Sequence, residues 1–296
     1  MTQPENKPLQ GKVAVVAGAT RGCGRGIAIE LGAAGATVYC TGRSVRGEAS
    51  PSGRPETIDG TAERVTAAGG VGIPVQVDHA VEEQVKALFE RIRNEQGGRL
   101  DILVNDIGGY ADCSSVLDWN TPMWELDAKT GLRWLESAAH THIITSRWGI
   151  PLMVPHNHGL VIEVGDGTGY DYRGTFYYSL AKVCVVHTAE AIAADLRERG
   201  LSGITALALT PGYLRSEQML ENFGVREENW RDAITKDPDF ARSETPRYIG
   251  RAVVALASDP GVHSKAGQSL ATWHLVGEYG FTDVDGNQPR WEKDRP

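Results

Sequence analysis

Short runs of β-branched and apolar residues alternate along this chain with longer amphipathic stretches. Residues 12–17 read KVAVVA, too apolar and too short for anything but a buried strand. The same pattern predicts strands at 37–41, 72–77, 100–105, 160–164, 204–210 and, more weakly patterned, 268–272. Helical patterns lie between them at 25–34, 57–68, 81–96, a long region 123–154, and 176–199, with further helices near 217–223, 227–235 and 246–258. This order predicts an α/β fold: one doubly wound, seven-stranded parallel sheet covered by helices on both faces. No linker divides the chain, so 1–296 reads as a single domain. Residues 43–55 are rich in Gly, Ser and Pro but directly follow the second strand, and read as a loop at the sheet's carboxyl edge.

Composition narrows the picture. With 41% hydrophobic and 23% charged residues in 296, disordered, collagen-like and coiled-coil readings are excluded. A net charge of −8 argues against a nucleic-acid partner, which would call for the opposite sign. The four cysteines (Cys23, Cys40, Cys113, Cys184) form no CxxC pair, so a disulfide scaffold or a zinc site is not expected, and a reducing compartment suits them. The N-terminal MTQPENKPLQGK is polar, and no apolar run reaches the roughly 18 residues of a membrane span. A cytoplasmic protein acting on a small-molecule substrate is expected.

Two clusters carry chemistry. After the first strand comes AGATRGCG, residues 17–24, then a helix. Gly18, Gly22 and Gly24, with Thr20, Arg21 and Cys23, allow a tight turn and let backbone N–H groups approach a pyrophosphate at the helix N-terminus. The second strand ends in Thr41-Gly42-Arg43-Ser44, where an NAD site would carry an acid; Arg43, with Arg21, can pair with a 2′-phosphate, which favours NADP(H). Asp78, after the third strand, suits an adenine amino group or a helix N-cap.

In the second cluster, Tyr178 and Lys182 stand four apart on a helix and so share a face. Bringing a phenol from pKa ~10 to near 7 needs about 4 kcal/mol. An ammonium roughly 5 Å away, at an effective dielectric of about 20, supplies about 3. Tyr178 is thus a candidate proton donor tuned by Lys182.

These residues resemble the short-chain dehydrogenase/reductase family, over roughly residues 10 to 272. Gly18, Gly22 and Gly24 match its glycine loop, and LVNDIG at 103–108 is similar to its NNAG segment, with Asn105 as the first Asn and Gly108 as the Gly. Tyr178 and Lys182 match the catalytic YxxxK; Thr210-Pro211-Gly212 followed by Ser216 resembles the PGxxxT segment that holds the nicotinamide carboxamide. The strings TGR and GRLDILVN look closest to the dehydrogenase/reductase 1-like subgroup. The resemblance implies a Rossmann fold, reversible hydride transfer, and a homodimer or homotetramer. It also implies a substrate lid at about 213–245, leaving 273–296 as a C-terminal extension.

The chain departs from the family in two places. The catalytic Ser expected about thirteen positions before Tyr178 is absent from residues 164–169, VGDGTG, where Asp166 and Thr168 are the polar substitutes. The family's catalytic Asn aligns with Lys129. Of the other signals, His140 and His142 point apart on a helix, and His156 and His158 fall in a loop, so no metal is expected. Trp119, Trp124, Trp134 and Trp148 suit either a pocket wall or packing. Three readings remain: NADPH-dependent reduction of a ketone or aldehyde; imine or iminium reduction, which an ionised Asp166 would favour; and a non-catalytic NADP(H)-binding redox sensor.

Overall fold

The apolar runs form the centre of the molecule. In the computed structural model, which describes residues 7–291, β1 (Val13–Ala17), β2 (Thr37–Gly42), β3 (Val71–Gln76), β4 (Ile102–Asn105), β5 (Gly159–Val164), β6 (Ile204–Thr210) and β7 (Ser269–Ala271) make one sheet. Their order is β3-β2-β1-β4-β5-β6-β7, and every pair is parallel, as the alternating pattern predicts. The first residues of the polar N-terminal stretch, 1–6, and the end of the C-terminal extension, 292–296, lie outside the described residues. Strands β1, β4, β5 and β6 are buried throughout, whereas β3 is partly exposed because it lies at the edge.

Two apolar layers cover the sheet. Over one face pack α1 (Gly22–Ala33), α2 (Ile58–Ala67), α8 (Pro246–Ser258) and α9 (Thr272–Tyr279), through Ile27, Leu31, Val65, Ile249, Val253 and Leu275. Over the other pack α3 (Glu82–Glu95), α5 (Thr141–Gly149) and α6 (Phe176–Glu198), through Val85, Phe89, Ile144 and Leu196. Among the described residues, no helix is long and apolar enough to cross a membrane.

The structure corrects four boundaries. Helix α1 begins at Gly22 rather than at residue 25, because the glycine loop itself turns into the helix. The long 123–154 pattern is broken: α4 (Ala128–Leu135), capped by the Asp127 side chain, passes through one π-turn at Glu136–His140 into α5, which ends where Pro151 removes a donor. Residues 227–235 form 3₁₀ turns kinked at Asn229 instead of one regular helix. Strand β7 stops at Ala271, and α9, which the pattern misses, opens the C-terminal extension.

Candidate active site

Parallel strands bring their carboxyl ends to one edge, where ligands of open α/β sheets are held. Here that edge carries a cavity of about 400 Å³. The glycine loop contributes Gly18, Thr20, Arg21, Gly22 and Cys23; the end of β2 contributes Arg43 and Ser44. Asp78 enters after β3, Gly108 after β4, Lys182 from α6, and Ser216 from just ahead of α7 (Glu217–Phe223). The glycine loop and Lys182 of the second cluster therefore meet at one cavity.

The loop is shaped for close approach. Gly22 has φ +54°, and a Cβ there would meet no atom within 4 Å, so the N-terminus of α1 is open on that side. Gly24 has the opposite role: a Cβ would collide with the Gly18 carbonyl, and its N–H donates to Asp106 Oδ2. Burial pushes the Asp106 carboxyl up to about 6, against the nearby Lys182 charge and the Gly24 N–H, which hold it down. The space at the helix end, the cavity and the cations beside it fit a dinucleotide: Cys23, and Gly22 once Glu217 releases its N–H, would hold the pyrophosphate, and Lys182 the nicotinamide ribose.

At the adenine end, the Arg43 guanidinium lies 4.4 Å from the Tyr110 ring centroid. Arg21 donates to Ser52 Oγ at 2.8 Å and pairs with Glu56 at 3.3 Å. Ser44, Ser50 and Ser52 join through their hydroxyls at 3.1 and 3.0 Å. Asp78 does not cap α3; its Oδ1 accepts the Ala80 N–H at 3.0 Å, while Val81 takes the N-cap position.

At the chemical end, Tyr178 Oη donates to Asp166 Oδ2 at 2.8 Å. Asp166 follows β5, and the start of α6 carries Tyr178, so sheet and helix bring together two residues twelve apart. On the far side of the carboxylate, Arg173 Nη1 lies 3.7 Å from Oδ1. Lys182 Nζ stands 5.7 Å from the Tyr178 ring centroid. The lysine tuning expected from spacing is overturned: burial, then Asp166, push the Tyr178 phenol well above its ordinary value, and the main opposing charge is Arg173.

Several expected residues lie elsewhere. Thr168 is exposed, whereas Asp166 touches the phenol. Lys129 is exposed in the first turn of α4; the residues of that helical stretch on the cavity are Trp134, Ser137 and Thr141. Asn105 is fully buried under the site, donating to Ser146 Oγ at 2.9 Å and to Glu163 Oε1 at 2.8 Å. Glu163 also pairs with His142 at 2.7 Å, in a buried network that spacing could not reveal. Gly212 packs against the Trp291 side chain and near Glu244, whose carboxyl burial pushes up to about 8; the Pro211 carbonyl accepts from Thr210 Oγ1 at 3.1 Å. Trp119 and Trp124 are exposed, and Trp148 donates to Glu82 at 3.0 Å, which leaves Trp134 as the cavity-wall tryptophan of the four.

Sequence reasoning missed Arg173 and Glu217. The Glu217 carboxylate accepts the Gly22 N–H at 2.9 Å and pairs with Arg25 at 3.3 Å, tying α7 to the glycine loop. An acid directly after the N-capping Ser216 was its only available signal. Arg173 lies in an irregular loop and gives no periodic signal.

Known proteins match this arrangement. The family model described as short chain dehydrogenase matches residues 12–227. Dehydrogenase/reductase SDR family member 1 of Mus musculus is 36% identical over 282 residues, covering 94% of this chain and 85% of its own. The 3-oxoacyl-(acyl-carrier-protein) reductase FabG of Aquifex aeolicus is 28% identical over 257 residues, covering 85% of this chain and 92% of its own. A short chain dehydrogenase structure from Mycobacterium thermoresistibile superposes with a TM-score of 0.77 at 22% identity, covering 97% of this chain and 93% of that one. Glycine loop, YxxxK helix and sheet order thus stand together with the family match over most of the chain, which belongs to the short-chain dehydrogenase/reductase family of oxidoreductases.

Proposed function

We propose that this protein is an NADPH-dependent reductase of a ketone or aldehyde on a small organic substrate. The observation that carries the reading is the Tyr178 hydroxyl, donated at 2.8 Å to Asp166 at the same sheet edge as the Lys182-lined cavity. When bound, the nicotinamide supplies a hydride to the carbonyl carbon. Tyr178 gives its proton to the carbonyl oxygen, whose π bond to carbon has opened, and the phenolate left behind is reprotonated from solvent. Arg173, the main charge that lowers the phenol's pKa, stabilises that phenolate, and Lys182 holds the ribose hydroxyls. Asp166 orients the phenol by accepting its hydrogen bond in the resting site.

The preference for NADPH rests on Arg43, Arg21 and the serine hydroxyls of Ser44 and Ser52, which line the cavity beyond the glycine loop. A 2′-phosphate there meets two guanidinium groups. The reductase named for Aquifex aeolicus supports a carbonyl substrate. One observation favours imine reduction instead: a carboxylate, Asp166, sits where a neutral donor would serve a carbonyl. Titration by nicotinamide fluorescence, followed by NADPH oxidation with matched ketones, aldehydes and imines, tests the reading. Tighter binding of NADPH than NADH and turnover of a ketone or aldehyde are expected. Binding of NADPH with no turnover of any of the three classes would leave the redox-sensor reading in its place.

A further inference from the structure

A carbonyl oxygen that gains negative charge is stabilised by donors aimed at it, and losing one typically costs ~10²–10³ in rate. Tyr178 supplies one donor. Asp166, beside it, accepts the phenolic proton, and an ionised carboxylate has no proton to donate. On the other oxygen of that carboxylate stands the Arg173 guanidinium, at 3.7 Å. That distance makes an ion contact rather than a hydrogen bond, which leaves N–H groups for another acceptor. The two side chains are 34% and 36% exposed, so a substrate can reach both.

The guanidinium has a built seat. Gly167 has φ +86°, which calls for glycine, and the Arg173 guanidinium packs against it in the space a Cβ would take. The Arg173 N–H donates to Ser179 Oγ at 3.1 Å, and its carbonyl accepts the Thr175 N–H at 2.8 Å. Its backbone is therefore fixed to the start of the helix that carries Tyr178. Charge points the same way. Asp166 alone would favour a cationic substrate, whereas Asp166 with Arg173 is a neutral pair, and Lys182 tips the balance towards an oxyanion.

We infer that Arg173 is a catalytic residue: its guanidinium donates to the substrate oxygen beside Tyr178, replaces the missing serine, and selects carbonyls over iminium ions. The inference rests on the carbonyl-reductase reading proposed above. It is tested with NADPH and two probes, the diketone cyclohexane-1,4-dione and 2-methyl-1-pyrroline, on wild type, Arg173→Met, Arg173→Lys, Asp166→Asn, the Asp166→Asn/Arg173→Met double variant, and Tyr178→Phe. Arg173→Met is expected to lose ~10² in kcat on the diketone, with KM for NADPH unchanged, and to hold or gain activity on the imine. Arg173→Lys recovers part of the loss.

The double variant separates donation from mere charge balance. If Arg173 donates to the substrate, the double variant stays ~10² below Asp166→Asn on the diketone. Diketone turnover in the double variant equal to that of Asp166→Asn overturns the inference, as does an Arg173→Met enzyme with wild-type diketone kcat. Wild type that turns over neither probe, or Tyr178→Phe with undiminished diketone turnover, overturns the carbonyl-reductase reading itself. If Arg173→Met does not fold, Arg173→Lys decides through its diketone-to-imine ratio, and an unchanged ratio counts against the inference.

Discussion

The two ends of the cavity are built from different materials. The cofactor end is built on main chain at the glycine loop: Gly22 leaves space beside the N-terminus of α1, where Glu217 holds its N–H, and Gly24 lets the Gly18 carbonyl approach. The chemical end is side chains from one continuous stretch after β5: Asp166 and Arg173 in the loop, and Tyr178 and Lys182 at the start of α6. A backbone site depends on where glycine stands, and tolerates change in the residues between. A side-chain site depends on charges that adjust one another, as Asp166 and Arg173 do beside Tyr178. The cofactor end therefore keeps the family pattern while the chemical end departs from it.

The largest expected effect lies at the chemical end. Tyr178→Phe removes the proton donor and should lower turnover by at least ~10², leaving NADPH affinity nearly unchanged. Steady-state kinetics with a fluorescence titration check both halves. Loss of affinity as large as the loss of turnover would mean that the two ends are not separable.

At the cofactor end, NADPH is expected to bind at least ~10-fold tighter than NADH, since a doubly charged phosphate meets two arginines. Arg43→Asp should remove most of that preference without lowering the affinity for NADH. Equal affinities of wild type for the two cofactors would contradict the assignment of Arg43 and Arg21.

A smaller effect sharpens the contrast from behind the PG segment. Glu244 is 1% exposed, its Oε2 accepts from Thr272 Oγ1 at 2.8 Å, and its carboxyl is pushed up to about 8 by burial. The native state then keeps a proton that the unfolded chain releases from about pH 4.3 upward, so this group lowers stability progressively as pH rises to about 8. Glu244→Gln removes that dependence. Its melting temperature should match wild type near pH 5 and exceed it by at least about 2 °C near pH 9. A difference that does not change with pH would show that Glu244 is not the titrating group.

Much of the fold was legible because buried parallel strands are continuous apolar runs, as at 12–17 and 204–210. What failed was governed by contacts distant in sequence. Helix α9 follows a three-residue strand and gave no separate period. The break between α4 and α5 is a single π-turn, which adds a residue without a sequence mark. At the site, the glycine loop and the Tyr178–Lys182 pair were legible from spacing alone, because each lies in one local element. Lys129 was misplaced because the irregular stretch before it shifts any count of positions. Glu217 was invisible because its partners, Gly22 and Arg25, lie across the sheet edge, and Arg173 because the irregular loop it shares with Asp166 has no period to read.

The central claim, hydride transfer from NADPH to a carbonyl with Tyr178 as the acid, has a direct test. NADPH deuterated at C4 on the transferring face is incubated with a ketone and either wild type or Tyr178→Phe, and the products are weighed by mass spectrometry. Deuterium at the carbinol carbon of the wild-type product, with at least ~10²-fold less alcohol formed by the variant, is the predicted result. Alcohol without deuterium, or equal alcohol from both enzymes, would contradict it.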